Sequence, residues 1–439
     1  MTPAARIQTT IFLLDLIGTT RVPMDTAIGD YMRQRRYIGS KDRAAIAERI
    51  YSAMRHKARF DWWINEAGLQ PDGRLKTICT LIFLDERAEK DILKLFDGSK
   101  YGPEQLSDTE IAFLKRISKA ELMPQNMPEA VRVECPSEFE GRLREIFESG
   151  FVPEMAAMLD TAPLDLRVNT GLAPVDKAAA YLEADGVETD KTPYAPTGLR
   201  TKGKTYLSRT KAFAKGWIDI QDEGSQLIAV ACDAKPGMQV LDYCAGAGGK
   251  TLALASYMEG KGRIVAMDND DRRLGKSKER FKRARVSDSI EIRPLTDERH
   301  KKWLRRQRES FDITLIDVPC SGSGTWRRNP DMRWVTYGPE LEELIDIQAD
   351  IMERVAHTVK PGGKLVYATC SLFRAENENQ VEAFLARHDE FELLPLQEAW
   401  PEGLTLPCEG PYMRLTPLKH GTDGFFAAVL RRKEESAAA

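Results

Sequence analysis

The sequence contains no run of about 20 apolar residues, the length that a membrane-spanning helix requires. Its N-terminus also lacks the charged-then-apolar pattern of a secretory signal. None of the seven cysteines belongs to a CxxC pair and their number is odd, which argues against both a disulfide framework and a zinc site. We therefore expect a cytoplasmic protein with no membrane and no metal partner, and a monomer by default.

Net charge is also small, −3 over 439 residues, which by itself argues against a nucleic-acid partner. The distribution of that charge argues the other way. Residues 272–308 contain fifteen Lys and Arg against five Asp and Glu, and residues 31–60 contain nine against two. Such stretches indicate basic faces that bind phosphates, although solvated helix faces would give the same counts.

Three patterns divide the chain. Residues 1–125 show apolar positions at helical spacing, which predicts a small all-α domain whose arginines and lysines contact RNA. A short α+β, RRM-like RNA-binding segment is predicted over 126–230, after a proline-rich boundary. Over 231–433 strands alternate with helices, which is typical of a doubly wound parallel sheet.

A glycine-rich turn, Cys244 to Lys250, joins the first predicted strand of this sheet, Gln239 to Tyr243, to its first helix. Such a turn lets the backbone approach a ligand closely, and the free N–H groups of a helix start attract an anionic group. Asp268 and Asp297 follow the second and third strands, where a carboxylate can bind ribose hydroxyls. The glycines do not spell GxGxxG, so this geometry alone serves NAD and S-adenosylmethionine equally well.

The fourth predicted strand is Phe311 to Ile316 and the fifth is Lys364 to Thr369. A cysteine follows each of them, Cys320 two residues after Val318 and Cys370 directly after Thr369. A thiolate that adds to C6 of a pyrimidine makes C5 nucleophilic enough to accept a methyl group, after which the adduct loses its C5 proton and the thiol. Asp317 is placed to share a proton with the pyrimidine N3. The residues alone leave open which cysteine attacks.

These motifs resemble the RsmB/Sun family of RNA cytosine-C5 methyltransferases. Besides both cysteine motifs and the run from Leu241-Asp242-Tyr243 through the glycine-rich turn to Thr251, the similarity rests on Arg327-Arg328-Asn329-Pro330-Asp331, Glu376-Asn377-Glu378 and Asp423-Gly424-Phe425-Phe426. The resemblance implies an α/β fold with a Rossmann-like class I methyltransferase sheet, preceded by the small α+β segment. It also implies that the all-α N-terminal domain is NusB-like.

The resemblance implies methyl transfer from S-adenosyl-L-methionine to C5 of a cytosine in RNA, with 16S rRNA as the first candidate. It assigns Cys370 as the nucleophile and Cys320 as the residue that assists release, beside Asp317. One departure is Ala247, where the family usually has proline, so that the turn is less stiff. The implied cofactor contacts are Cys244, Ala245, Gly246, Ala247, Gly248, Gly249, Lys250, Asp268, Asp297 and Asp317.

Other functions compete with this one. A tRNA cytosine methyltransferase remains an alternative, and so does a catalytically inactive RNA-binding ribosome-assembly factor, although both cysteines and every acid are in place. A DNA cytosine methyltransferase would carry its nucleophile in the Pro-Cys motif and would not need Thr369-Cys370. An NAD dehydrogenase would need a hydride-transfer partner, which the sequence does not offer.

Overall fold

The computed structural model describes residues 1–203 and 205–434. Contacts divide the chain into two compact units, the first formed by 1–161 with 326–339 and the second by 162–325 with the chain from 340 onward. Within the described ranges, no helix combines the length and the hydrophobicity that a bilayer crossing requires. The predicted boundaries near 125 and 230 stay predictions, because contacts alone do not say which parts fold independently.

The first unit is a helical bundle around one apolar core, in which Leu13, Ile46, Phe60 and Ile78 are buried. The sequence sets individual helix ends: Ser107 and Glu110 form a capping box in which each side chain accepts the other's backbone N–H. The helices are α1 (Pro3–Thr19), α2 (Met24–Gln34), α3 (Ser40–Arg55), α4 (Lys57–Glu66), α5 (Gly73–Phe83), α6 (Glu89–Leu93), α7 (Asp108–Ile117), α8 (Glu129–Arg132), α9 (Ser137–Phe147) and α10 (Phe151–Ala157).

Segment 326–339 is an integral part of this helical unit. The Asp331 carboxylate accepts the Met24 N–H at 2.9 Å. The buried Arg333 guanidinium donates to the Glu134 carbonyl at 3.0 Å. The Trp334 indole donates to the carbonyl of Met54 at 3.2 Å. Side chains of segment 326–339 therefore form hydrogen bonds with backbone groups of the first 161 residues.

The second unit begins with a small antiparallel sheet of strand order β2-β3-β1-β4, a β-α-β-β-α-β arrangement. RRM domains stack RNA bases on aromatic side chains of this kind of sheet. The central strands β1 and β3 carry none; their arginines, Arg167 and Arg200, instead bond to Gln221 and Asp165. The elements are β1 (Asp165–Val168), α11 (Val175–Ala184), β2 (Thr189–Lys191), β3 (Gly198–Thr201), α12 (Lys211–Ala214) and β4 (Ile218–Ile220).

A large mixed sheet of order β10-β12-β9-β8-β5-β6-β7 follows, with β11 paired to β12. The pairs β5–β6, β6–β7, β5–β8 and β8–β9 are parallel, while β12 runs antiparallel to β9. The predicted Rossmann-like α/β fold is confirmed. The elements are α13 (Glu223–Cys232), β5 (Gln239–Tyr243), α14 (Gly249–Tyr257), β6 (Arg263–Asp268), α15 (Asp271–Ala284), β7 (Ile290–Pro294), α16 (Glu298–Arg305), β8 (Phe311–Asp317), α17 (Leu341–Ala356), β9 (Val359–Thr369), α18 (Glu378–Leu385), β10 (Phe391–Leu394), α19 (Leu396–Ala399), β11 (Met413–Leu415), α20 (Pro417–His420) and β12 (Phe425–Arg432).

Candidate active site

The glycine-rich turn lies between the end of β5 and the start of α14. Its backbone passes through the left-handed region at Cys244 (φ 91°), Gly246 (φ 56°) and Gly248 (φ 77°). A Cβ at position 248 would lie 2.5 Å from the Phe281 ring, so only glycine fits there. The Cys244 N–H donates to the Met267 carbonyl at 2.9 Å and ties the turn to β6. No side chain caps the start of α14, whose N–H groups can therefore face an anionic ligand.

Ala247 stands where the family usually has proline, and its carbonyl accepts a hydrogen bond from an arginine side chain. Arg280 on α15 donates from Nη1 to the Ala247 carbonyl at 2.5 Å. The same guanidinium donates from Nε and Nη2 to Asp219 on β4, at 3.0 and 2.6 Å. This bridge restrains the turn that a proline ring would otherwise stiffen.

Two acids predicted to bind the cofactor differ in their surroundings. The buried Asp268 accepts N–H groups of Gly246 and Asp270, both at 2.7 Å, and so fixes the glycine-rich turn. Asp297 caps α16 and pairs with Arg299, whose side chain and backbone N–H lower the pKa of Asp297 to about 2. Asp268 is therefore bonded to the turn directly, whereas Asp297 is not. Neither acid is among the residues that line the cavity beside the turn.

That cavity is open, with a volume of about 430 Å³. Asp242, fully buried at its wall, accepts the Thr251 hydroxyl at 2.6 Å through Oδ2, and its Oδ1 has no hydrogen-bond partner among the described residues. Burial raises the pKa of Asp242 to about 7, against the opposing effect of the Thr251 hydrogen bond. An unpartnered buried oxygen fits a ligand donor such as the amino group of S-adenosylmethionine. The lining residues are Ser225, Asp242, Cys244, Ala245, Gly246, Ala247, Gly249, Lys250, Arg273 and Asp317.

Lys250 and Asp317 join the cofactor turn to the cysteine-bearing edge of the sheet. Lys250 Nζ lies 2.6 Å from Asp317 Oδ2, and the lysine is buried. Burial opposes the lysine charge, but the charge and hydrogen bond of Asp317, together with Cys370, outweigh it and raise the pKa of Lys250. The ammonium group therefore stays charged beside the thiol of Cys370.

The two candidate catalytic cysteines meet at the ends of the neighbouring parallel strands β8 and β9. Cys320 Sγ and Cys370 Sγ lie 3.4 Å apart, and both thiols are free and half-buried. The pKa of Cys320 is raised well above its ordinary value, first by the hydrogen bond with Cys370, then by burial and by the nearby negative charges. Both thiols can thus reach the same ligand.

The two basic stretches differ in what their cations bind. In 31–60, Arg33 pairs with Asp30 and Lys57 with Asp61, while Arg59 is buried against Glu134. On and around α15 and α16, by contrast, many cations form no side-chain hydrogen bond or ion pair with any described residue. These are Arg272, Lys276, Lys278, Lys282, Arg285, Lys302, Arg305, Arg306 and Arg308.

Sequence reasoning missed several residues of the site. Asp242, Ser225 and Arg273 line the cavity but were not predicted to do so. Glu376 lies buried behind both cysteine turns and accepts hydrogen bonds from each. The only available signal was indirect, because Asp242 and Glu376 stand inside motifs that carry the family resemblance.

A profile of the family described as 16S rRNA methyltransferase RsmB/F matches residues 229–431. A Synechocystis protein, named probable ribosomal RNA small subunit methyltransferase B, is 31% identical over 93% of this chain and 95% of its own length. The chain belongs to the RsmB/F family. A second RsmB/F relative, ribosomal RNA small subunit methyltransferase B of Klebsiella pneumoniae, is 26% identical over 90% of this chain and 92% of its own. The crystal structure of PH0851 superposes with a TM-score of 0.78 at 28% identity, covering 99% of both chains.

As an RsmB/F methyltransferase, the protein uses S-adenosyl-L-methionine as its methyl donor. The left-handed turn, the uncapped start of α14 and the open oxygen of Asp242 fit such a donor. Among the residues that the structure describes, no cluster of three or more His, Cys, Asp or Glu side chains could hold a metal ion.

Proposed function

We propose that this protein methylates C5 of a cytosine in RNA, with 16S rRNA as the substrate, through a covalent bond between Cys370 and C6. The observation that carries the proposal is the 3.4 Å approach of Cys320 and Cys370 beside Lys250 and Asp317. Small-subunit rRNA is the substrate named for the relatives, and a cytoplasmic location follows if that RNA is the target. The bound donor supplies an activated methyl group, and residues of this protein carry out every other step.

Cys370 is the better nucleophile of the pair. Cys320, whose pKa is raised, keeps its proton and can donate it toward the Cys370 sulfur. The charged Lys250 adds a positive charge to the same site. With Cys320 in its thiol form, Cys370 is the cysteine left to attack carbon, which a cysteine does as a thiolate.

Attack forms the S–C6 bond and moves the electrons of the C5=C6 bond to C5, which takes the methyl group. The C5 proton then leaves to a base, the double bond re-forms, and the S–C6 bond breaks with its electrons returning to Cys370. Once Cys370 is bonded to C6, the largest cause of the raised Cys320 pKa is gone. Cys320 then ionises more readily and can assist the release step.

Asp317 stabilises the target cytosine from the cofactor side of the site. Its Oδ2 accepts from Lys250, while its Oδ1 has no hydrogen-bond donor among the described residues. A free carboxylate oxygen beside the cavity suits the N3 and amino edge of a cytosine, whose charge changes when the adduct forms. Asp268 and the turn from Cys244 to Lys250 would hold the donor, and Asp297 would act on it only indirectly.

The unpaired cations of α15 and α16 are the phosphate-binding face in this proposal. Lys278 and Lys282 are exposed and one helical turn apart on α15. Arg273, near the start of the same helix, lines the cofactor cavity. Cations that form no ion pair with the described part of the chain can replace counterions along an RNA backbone.

The test is methylation of small-subunit rRNA transcripts with labelled donor, followed by nucleoside mass spectrometry. We expect 5-methylcytidine as the product, and a loss on the order of 10³-fold or more in Cys370→Ala. Cys408→Ala, a half-buried cysteine elsewhere in the same unit, is the matched control and should keep full activity. Undiminished activity of Cys370→Ala would reject the mechanism, and a different methylated base would reject the reaction.

A further inference from the structure

The turn after Cys320 and the turn after Cys370 are both bonded to one buried carboxylate. Glu376 Oε1 accepts the Ser321 N–H at 2.8 Å, and its Oε2 accepts the Ser321 hydroxyl at 2.6 Å. The Ser371 hydroxyl donates to the same Oε2. Ser321 and Ser371 each directly follow a cysteine, so the two thiols are linked through a single side chain.

Further hydrogen bonds fix Glu376 itself. Gln348 on α17 donates to Glu376 Oε1 at 2.9 Å and to the Pro319 carbonyl at 3.0 Å. The hydroxyl of Tyr367 on β9 donates to the Glu376 carbonyl at 2.5 Å. The carboxylate therefore receives four donors and is held against the strands that end at the cysteines, with no freedom to move away from them.

The charge of this carboxylate is unusual for its position. Glu376 is fully buried and forms no ion pair with a cation of the described chain, so only neutral donors compensate it. Neutral side chains could hold the two cysteine turns together at a lower desolvation cost, so packing alone does not account for a charged group here. A buried negative charge next to two thiols disfavours a second one, and Glu376 is among the causes of the raised Cys320 pKa.

We propose that Glu376 is a positioning residue that holds the two cysteine turns together and places a negative charge beside Cys320. The catalytic role of Glu376 rests on the proposed function. Its effect on the reactivity of the free thiols does not depend on that function. The structural claim can therefore be tested in the absence of RNA and donor.

The test is the pH dependence of iodoacetamide alkylation at Cys320 and at Cys370, read by peptide mass spectrometry. Glu376→Gln keeps the shape of the side chain and removes its charge. We expect Cys320 of this variant to react about tenfold faster near neutral pH, with a profile moved to lower pH, and RNA methylation to fall about tenfold. Thiol chemistry at Cys370 should change much less.

The matched control is Glu378→Gln. Glu378 is also buried and lies two residues away, but it pairs with Arg414 and not with either cysteine turn. We expect its Cys320 profile to match that of the wild type. Ser321→Ala removes one donor to Oε2 but leaves the backbone N–H bond and the Glu376 charge. We expect RNA methylation to fall in this variant, because the turn after Cys320 is held by fewer bonds, without the move of the Cys320 profile to lower pH.

A folded Glu376→Gln protein whose Cys320 profile overlays the wild type would overturn the proposal. If that variant does not fold, wild-type methylation in Ser321→Ala would overturn it equally. Failure of the proposed function looks different. The wild type would then form no cytosine product, while the Cys320 profile would still depend on Glu376.

Discussion

Removing the Asp331 carboxylate should destabilise a helix that lies 307 positions earlier in the chain. Helix α2 follows Pro23, which supplies no side-chain cap, and the Met24 N–H is bonded to Asp331 Oδ2 at 2.9 Å instead. Asp331 is only 3% exposed. The carboxylate thus acts as the N-cap of α2, from a segment that the sequence places near the catalytic edge.

The expected cost of Asp331→Ala follows from these contacts. Loss of an N-cap costs about 1 kcal/mol, and loss of a hydrogen bond to a charged group about 1.5–3 kcal/mol. The two figures describe the same bond and overlap, so we expect about 2 kcal/mol in total. For a unit of this size that lowers Tm by about 4–8 °C.

The assay is differential scanning calorimetry, with hydrogen exchange of the Met24 amide as the local readout. Asp331→Asn keeps an acceptor and should lose less than half as much stability. Asp30→Ala removes an exposed carboxylate of the same helix, whose only ion-pair partner in the described ranges is Arg33, and should stay near the wild type. A Tm of Asp331→Ala within 1 °C of wild type, with unchanged Met24 exchange, would refute the capping argument.

Two further predictions concern the site. Lys250→Met removes the cation on Asp317 and should lower kcat/KM about 10- to 100-fold, whereas Lys261→Met, at an exposed pair with Glu259, should have no effect. Equal activity of the two variants would remove Lys250 from the mechanism. Replacing Lys278 and Lys282 by glutamate should weaken RNA binding and reduce the slope of log K against log salt by about 1.5, measured by fluorescence anisotropy. An unchanged slope would place the phosphate contacts elsewhere.

Features that depend on local pattern and one topological rule could be predicted from the sequence. The predicted strand Gln239–Tyr243 has the same bounds in the structure, because its apolar run stops at a glycine-rich turn. Cys320 and Cys370 come together because β8 and β9 are parallel neighbours whose carboxyl ends meet at one edge. The fold thus follows from local sequence patterns, and the pairing of the thiols follows from the rule that parallel strands end at one edge of the sheet.

Features that depend on distant partners could not be predicted. The fifth strand was expected to start at Lys364, but β9 starts at Val359 and includes Pro361 and Gly362, which locally indicate a turn. Charge counts do not reveal that Arg59 is buried against Glu134. Nothing in the pattern of 326–339 marks it as part of the helical unit, because its hydrogen-bond partners lie some 200 to 300 residues away.

The most direct test of the central claim is whether Cys320→Ala traps the protein on its RNA. The variant is incubated with donor and small-subunit rRNA transcript, and covalent protein–RNA complexes are separated on a denaturing gel. We expect the complex to accumulate in Cys320→Ala and to be absent from the Cys320→Ala, Cys370→Ala double variant, because only Cys370 forms the bond to C6. A Cys320→Ala protein that turns over freely without a covalent complex, or a complex that persists in the double variant, would contradict the assignment of the two cysteines.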